Sequence, residues 1–218
     1  VMGHAGLAPA EVKRIADAHR TYRATIPAMK GKDIPVVLDE WNYWYGPHVY
    51  GELGTQYFLK DALGIAAGLH EFFRNTDVFF MANYAQTVNV IGAIKTNKTA
   101  AVLDTTGEVL ALYRNHFGTI PLKIGGAPAP LDVAAAWKDG KKILTVAVVN
   151  PSAERQRLPL TFKGVRLAAK AKLYRISGPD PLSKNVPGRE PEVKTVATAG
   201  DLVAGAGGNG AVLDFLVR

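Results

Sequence analysis

The chain has 218 residues, a net charge of +7, 48% apolar side chains and no cysteine, which excludes disulfides and thiolate metal sites. Its length suits one large domain or two small ones with a real core. No apolar run approaches the roughly eighteen residues of a membrane span, and no charged stretch ahead of an apolar one marks a secretory leader, so no membrane partner is expected. Compartment stays open between cytoplasm and exterior. The charge is uneven: residues 1–120 hold 11 basic and 11 acidic side chains, residues 121–218 hold 15 and 8. The excess sits singly, at Lys138, Arg155, Lys163, Arg175 and Lys184, without interleaved aromatics. That pattern is a solvated basic face, and no nucleic-acid partner is expected.

Val12, Ile15, Ala16, His19 and Tyr22 recur at helical spacing, with Pro9 in a first-turn position, and predict a helix from Pro9 to about Thr25. Ile34 to Leu38 is a short, wholly apolar run, expected to be a strand covered on both faces. Thr55 to Arg74 reads as helix through Phe58, Leu59, Ala62, Leu63, Ala66, Leu69 and Phe73. Val78 to Ala82 repeats the buried-strand pattern, and a further helix is expected over Val109 to His116. Helix and strand in alternation imply a parallel sheet, placing residues 1–120 in an α/β domain.

Beyond Pro121 the period becomes two. In "RLPLTFKG" Leu158, Leu160 and Phe162 alternate with polar neighbours, and "AVLDFLVR" sets Leu213, Phe215 and Val217 on one side. With "KKILTVAVVN" and "AKLYRISG", these short runs between Gly, Pro and Asn predict an antiparallel β-sandwich over residues 121–218. "GGAPAP", Gly125 to Pro130, is either the loop leading into that half or an ordinary hairpin connection. "GAGGNG", Gly205 to Gly210, precedes a strand rather than a helix, so it reads as a hairpin turn and not a phosphate cradle.

The chemistry-bearing stretch is "PVVLDEWNYWYGPH", Pro35 to His48, where a strand ends in two acids followed by four aromatics in five residues. In parallel βα proteins chemistry gathers at the carboxyl ends of strands. With Val37 towards the helices and Leu38 inward, alternation sends Asp39 and Glu40 to opposite sides, so one of them faces a pocket. Two acids there also serve plain solvation or helix capping, and Trp41, Tyr43, Trp44 and Tyr45 also serve a core. Aromatic faces flanking a carboxylate are equally a means of holding a sugar ring. His4 and His48 have no spaced partner that would make a metal site.

Four ordered motifs, "LDEWNYWY", "LKDALGIAAGLHEFFRNTD", "MANYAQTVNVIGAI" and "SGPDPLSKNVPGREPEV", resemble the C-terminal half of α-L-arabinofuranosidases of glycoside hydrolase family fifty-one. The resemblance implies a (β/α)8 barrel joined to a β-sandwich, and removal of terminal arabinofuranosyl groups from arabinose-containing saccharides with retention of configuration. It implies Glu40 as nucleophile at the end of the seventh barrel strand, Gln86 as a sugar contact after the eighth, and Trp41 as a wall of the sugar subsite. It also implies a homo-oligomer. A retaining mechanism needs an ionised carboxylate, for which the amides of Asn42 and Gln86 are suitable hydrogen-bond donors, and it needs no metal or organic cofactor.

The family's acid/base, a Glu following Asn, has no counterpart, since no Asn-Glu dipeptide occurs in these residues. Glu52, Asp61 and Glu71 are not convincing substitutes. Only two barrel strands can be placed, so the first six are expected from a complementary chain or segment, and these residues alone are expected to be inactive on glycosides. Other readings are a different retaining barrel glycosidase, such as an endo-glucanase, and a non-catalytic carbohydrate-binding or assembly module.

Overall fold

Helix and strand alternate through the first half as the periodicity predicts. In the computed structural model, which describes residues 1–49, 54–158, 160–162, 164–165, 170–201 and 215–217, the order is α1 (Met2–Ala5), α2 (Leu7–Thr25), a 3-10 turn (Pro27–Met29), β1 (Val36–Trp41), α3 (Leu59–Arg74), β2 (Phe79–Tyr84), β3 (Ile94–Thr96), β4 (Ala101–Leu103) and α4 (Thr105–His116). Glu52, Lys163, Leu213 and the Gly205 to Gly210 cluster lie outside the described residues. β1 and β2 pair in parallel, with α3 as the crossover. Val12 and Ala16, one turn apart on α2, are buried with Phe72 of α3 and with Val78 and Phe79, and Val36, Leu38 and Ala82 pack against them. Each large side chain buried there contributes about 1.5–3 kcal/mol.

Two expectations need correction. Leu38 faces the helices and Val37 does not, the reverse of the orientation assumed from sequence. Nor is the sheet covered on both faces: Val37, Phe80 and Met81 are 44%, 77% and 44% exposed. An apolar run reports that a strand can be buried on both sides, and here helices cover only one. The register also slips twice. Val36 pairs with Phe79 but Val37 with Met81, leaving Phe80 as an extra residue on β2; Leu38 pairs with Ala82 but Trp41 with Tyr84, placing an extra residue on β1.

The helix expected from Thr55 starts at Leu59, because Thr55 bridges to His48 and the Asp61 carboxylate accepts the Phe58 N–H at 2.7 Å. α4 begins at Thr105, four residues before its apolar period shows, because Asp104 caps it by accepting the Thr105 N–H at 2.7 Å. The β3–β4 hairpin has no counterpart in the sequence pattern. Its strands have three residues each, too few for a period to register.

Among the described residues the strand pairs of the second half are all antiparallel, in keeping with its period of two. β5 (Ile120–Leu122), β6 (Asp132–Lys138) and β7 (Ile143–Val149) form one sheet; β8 (Gln156–Leu158) pairs with β11 (Phe215–Val217), and β9 (Lys170–Ser177) with β10 (Lys194–Asp201). β8 stops at Leu158, so Leu160 and Phe162 are not in a strand. Gly125 to Pro130 links the paired strands β5 and β6, as a hairpin connection. The boundary drawn after residue 120 falls inside β5. The chain crosses at Gly118, where a Cβ would lie 2.5 Å from the Trp137 carbonyl oxygen, so only glycine fits.

The halves share a core. Phe117, Ala134 and Ala136 pack with Phe73 and Tyr113, and the rings of Phe73 and Phe117 stack at 5.2 Å. Beside them His70 is fully buried, its Nδ1 2.5 Å from Asp132 Oδ1 and its Nε2 2.5 Å from the Tyr113 hydroxyl. Arg74 also reaches Asp132, at 2.5 Å, and the Val133 carbonyl, at 3.0 Å. Burial lowers the His70 pKa despite the neighbouring carboxylate and raises that of Tyr113. At Asp132 the upward effect of burial is outweighed by hydrogen bonds from His70 and Arg74, so its pKa is lowered. A neutral imidazole then satisfies every partner: Nδ1–H donates to the carboxylate, and Nε2 accepts the phenolic O–H.

Candidate active site

Glu40 is exposed at the carboxyl end of β1 and has no hydrogen bond or ion pair among the described residues. Strict alternation would separate it from Asp39. The bulge between Leu38 and Trp41 removes that alternation: Leu38 and Trp41 both pack towards the helices, while Asp39 and Glu40 are both exposed. Bulges commonly re-aim a side chain at a site in this way.

Gln86 lies next to this strand end. The ladder continues one step past Tyr84, where the Ala85 N–H donates to the Trp41 carbonyl at 3.0 Å, and Gln86 follows directly. It is exposed and has φ +64°. Its Oε1 accepts the Ile91 N–H at 3.4 Å; among the described residues its NH2 group has no partner, so both N–H bonds are available to a carboxylate or a hydroxyl. The loop behind it is strained, with Asn89 at φ +53° and Val90 at +42°, a conformation that is costly for a β-branched residue. The Val90 carbonyl is held twice, by the Thr55 N–H at 2.6 Å and by Lys95 Nζ at 3.1 Å.

Asn42 does not reach towards Glu40. Its Nδ2 donates to the hydroxyls of Tyr57 (2.8 Å) and Tyr84 (2.7 Å) and to the Ile91 carbonyl (2.5 Å), while its Oδ1 accepts the Tyr43 N–H. Two N–H bonds are thus shared among three acceptors. Tyr57 donates onward to the Tyr43 carbonyl at 2.6 Å, and Tyr84 to Thr106 Oγ1 at 2.7 Å. Burial pushes both phenols above their ordinary range, so they stay protonated and can donate.

Trp41 lies edge-on to Phe72 at 5.0 Å and to Tyr84 at 5.8 Å, and a Cβ on Gly68 would come within 3.1 Å of it. This places the indole on the helix side of β1 as a wedge. Tyr43 is buried, with its hydroxyl donating to the His4 carbonyl at 3.0 Å. The Tyr45 hydroxyl donates to Asp61 at 2.5 Å. Of the four aromatics only Trp44, 60% exposed, keeps an open face.

Asp61 is buried and accepts from Tyr45, from the Phe58 N–H and from His4 Nε2 at 2.6 Å, which makes it a scaffold group and not a proton donor facing solvent. Sequence reasoning missed the pair behind the site. Lys95 and Asp104 are both fully buried, with Nζ and Oδ2 3.9 Å apart, and the Lys95 ammonium lies over the Tyr57 ring at 4.9 Å. Burial pushes Asp104 up to about 7 and Lys95 down to about 8. Only the Asp ahead of a helix was there to be read, as a cap.

The sequence model of the α-L-arabinofuranosidase C-terminal domain matches residues 39–213. A probable α-L-arabinofuranosidase C from Aspergillus flavus is 29% identical over 185 residues, covering 76% of this chain and 36% of the relative. The chain therefore spans about a third of that protein's length. Among solved structures, the GH51 α-L-arabinofuranosidase from Thermotoga petrophila superposes with a TM-score of 0.79 at 24% identity, over 95% of this chain and 46% of that one. The enzyme from Thermotoga maritima, solved as an arabinose complex, gives 0.76 at 23%, over 93% and 45%. At those identities the superpositions show a shared fold. Because the family model spans most of the chain and begins one residue before Glu40, this chain belongs to the family of α-L-arabinofuranosidase C-terminal domains.

Proposed function

We propose that this chain carries the nucleophile of a retaining glycosidase that removes terminal α-L-arabinofuranosyl residues from arabinose-containing saccharides. The observation that supports it most is an unpaired carboxylate, Glu40, aimed into the open by a bulge at the carboxyl end of a parallel strand, with the free NH2 of Gln86 on the neighbouring strand end. Glu40 attacks the anomeric carbon and the glycosidic C–O bond breaks. A second carboxyl, about 5–5.5 Å away, protonates the departing oxygen and later takes a proton from the water that attacks the anomeric carbon, breaking its bond to Glu40 and freeing that carboxylate. Gln86 binds the sugar or the carboxylate, while Trp41 and Asn42 hold the strand end in place.

In this reading β1, α3 and β2 belong to the last two units of a (β/α)8 barrel, and the antiparallel strands form a β-sandwich. The exposed Val37, Phe80 and Met81 mark the face against which a complementary chain or segment packs. That segment brings the acid/base. The test is hydrolysis of methyl and dinitrophenyl arabinofuranosides by the chain alone and by the chain joined to the first six βα units of a family relative. Joined, it hydrolyses both, and Glu40→Gln loses roughly a thousandfold or more. Alone, it does not turn over the methyl glycoside, whose leaving group needs a proton; fast turnover would reveal an acid within this chain. Equal rates for the wild type and Glu40→Gln would remove Glu40 from the mechanism.

A further inference from the structure

The stretch between β9 and β10, residues 178–193, belongs to the second half, yet several of its bonds are made with the first. Its carbonyls at Ser183 and Pro181 accept the N–H groups of Leu59 and Lys60 at 2.9 and 3.0 Å. These are the free donors at the start of α3. Asn185, fully buried, donates from Nδ2 to the Leu103 carbonyl at 3.0 Å and to the Val193 carbonyl at 2.7 Å, and accepts the Val193 N–H at 3.0 Å. Both side-chain N–H bonds are used. Leu103 is followed by Asp104, whose carboxylate receives the Tyr57 N–H at 3.4 Å, and Thr105 Oγ1 donates to the Phe58 carbonyl at 2.8 Å. The segment around Tyr57 is thus gripped from the α4 cap on one side and, through α3, by the 178–193 stretch on the other. Tyr57 in turn is an acceptor for Asn42, two residues beyond Glu40.

We propose that Asn185 is a positioning residue: from the second half of the chain it fixes Leu103 and Tyr57, and through them Asn42, behind the strand end that carries Glu40. This rests on the reading of that strand end as the active site. A loop bond of merely local importance would do no more than order residues 178–193. Placement of Asn185, with both donors committed and one of them spent on a residue 82 positions earlier, gives it the longer reach.

The test follows the Asn42 side-chain amide resonances and the exchange of the Tyr57 backbone amide by NMR in the intact chain, for Asn185→Ala and for Glu192→Ala. Glu192 is exposed and, among the described residues, accepts only from within the same stretch, at the Lys184 N–H, so its variant loosens the stretch without touching Leu103. In Asn185→Ala the Asn42 signals shift and Tyr57 exchanges roughly tenfold faster, the scale of one net hydrogen bond; in Glu192→Ala neither changes. Where Asn185→Ala does not fold, Asn185→Asp, which keeps the acceptor and loses both donors, is measured instead and gives the same changes. Unmoved Asn42 signals and unchanged Tyr57 exchange in the folded variant, or equal changes in the Glu192 control, overturn the proposal. No substrate enters this experiment, so its outcome is independent of the role of Glu40, which the hydrolysis of arabinofuranosides decides.

Discussion

Glu40 is exposed although strict alternation from Leu38 would turn it towards the helices, and one inserted residue in β1 makes the difference. That insertion is not readable in "VVLDEW", since a bulge here depends on what β2 offers across the ladder. Position at a strand's end was legible, because apolar runs and their terminations are properties of the chain itself, whereas Gln86 was singled out only by the resemblance to the family. The role of Asn42 was not, because its partners Tyr57, Tyr84 and Ile91 lie 15, 42 and 49 residues away. Asn42→Ala leaves these buried groups short of a donor and is expected to lower stability by about 2–3 kcal/mol. A urea titration with unchanged slope and a reduced midpoint checks this; an unchanged midpoint would mean the network is not holding the strand end.

The elements meet at closer range than propensity suggests. Gly64 and Gly107 lie within α3 and α4, where replacement by Ala ordinarily gains up to about 1 kcal/mol. A Cβ on Gly64 would sit 1.9 Å from the Tyr43 hydroxyl, and one on Gly107 2.3 Å from the Ala93 carbonyl oxygen. Both substitutions are therefore expected to destabilise, by about 1–3 kcal/mol. Gly107→Ala is the costlier, because a backbone carbonyl cannot rotate away whereas a tyrosine ring can tilt. Thermal or urea unfolding of the two variants measures the sign and the order; a stabilised Gly107→Ala would contradict the packing of α4 on the β3–β4 hairpin. Helix identity was legible from period. Helix starts were not, because Asp61 and Asp104 act as caps through side-chain oxygens that no hydrophobic pattern contains.

At the scale of the molecule, a buried histidine and an open sheet face set the behaviour. His70 is held below its ordinary range by burial, so below about pH 6.5 the unfolded chain takes up a proton that the folded chain resists, and stability falls as pH drops. Asp132, held low by His70 and Arg74, adds a second loss below about pH 4. His70→Asn is expected to flatten the decline between pH 7 and 5, as read by urea midpoints across that range; an unchanged slope would mean that His70 is protonated in the fold. Phe80 is 77% exposed, and Phe80→Asp is expected to reduce self-association in sedimentation while moving folding stability by no more than about 0.5 kcal/mol. A larger loss would place Phe80 in this chain's own core. The antiparallel pairing of the described strands after residue 120 was legible in the change of period there. The sharpest measurement is mass mapping of the joined enzyme after reaction with a dinitrophenyl 2-fluoro-arabinofuranoside, whose departing phenolate needs no proton. One glycosyl adduct is expected, on Glu40 and absent in Glu40→Gln; an adduct on Asp39 or any other carboxylate would overturn the assignment of the nucleophile.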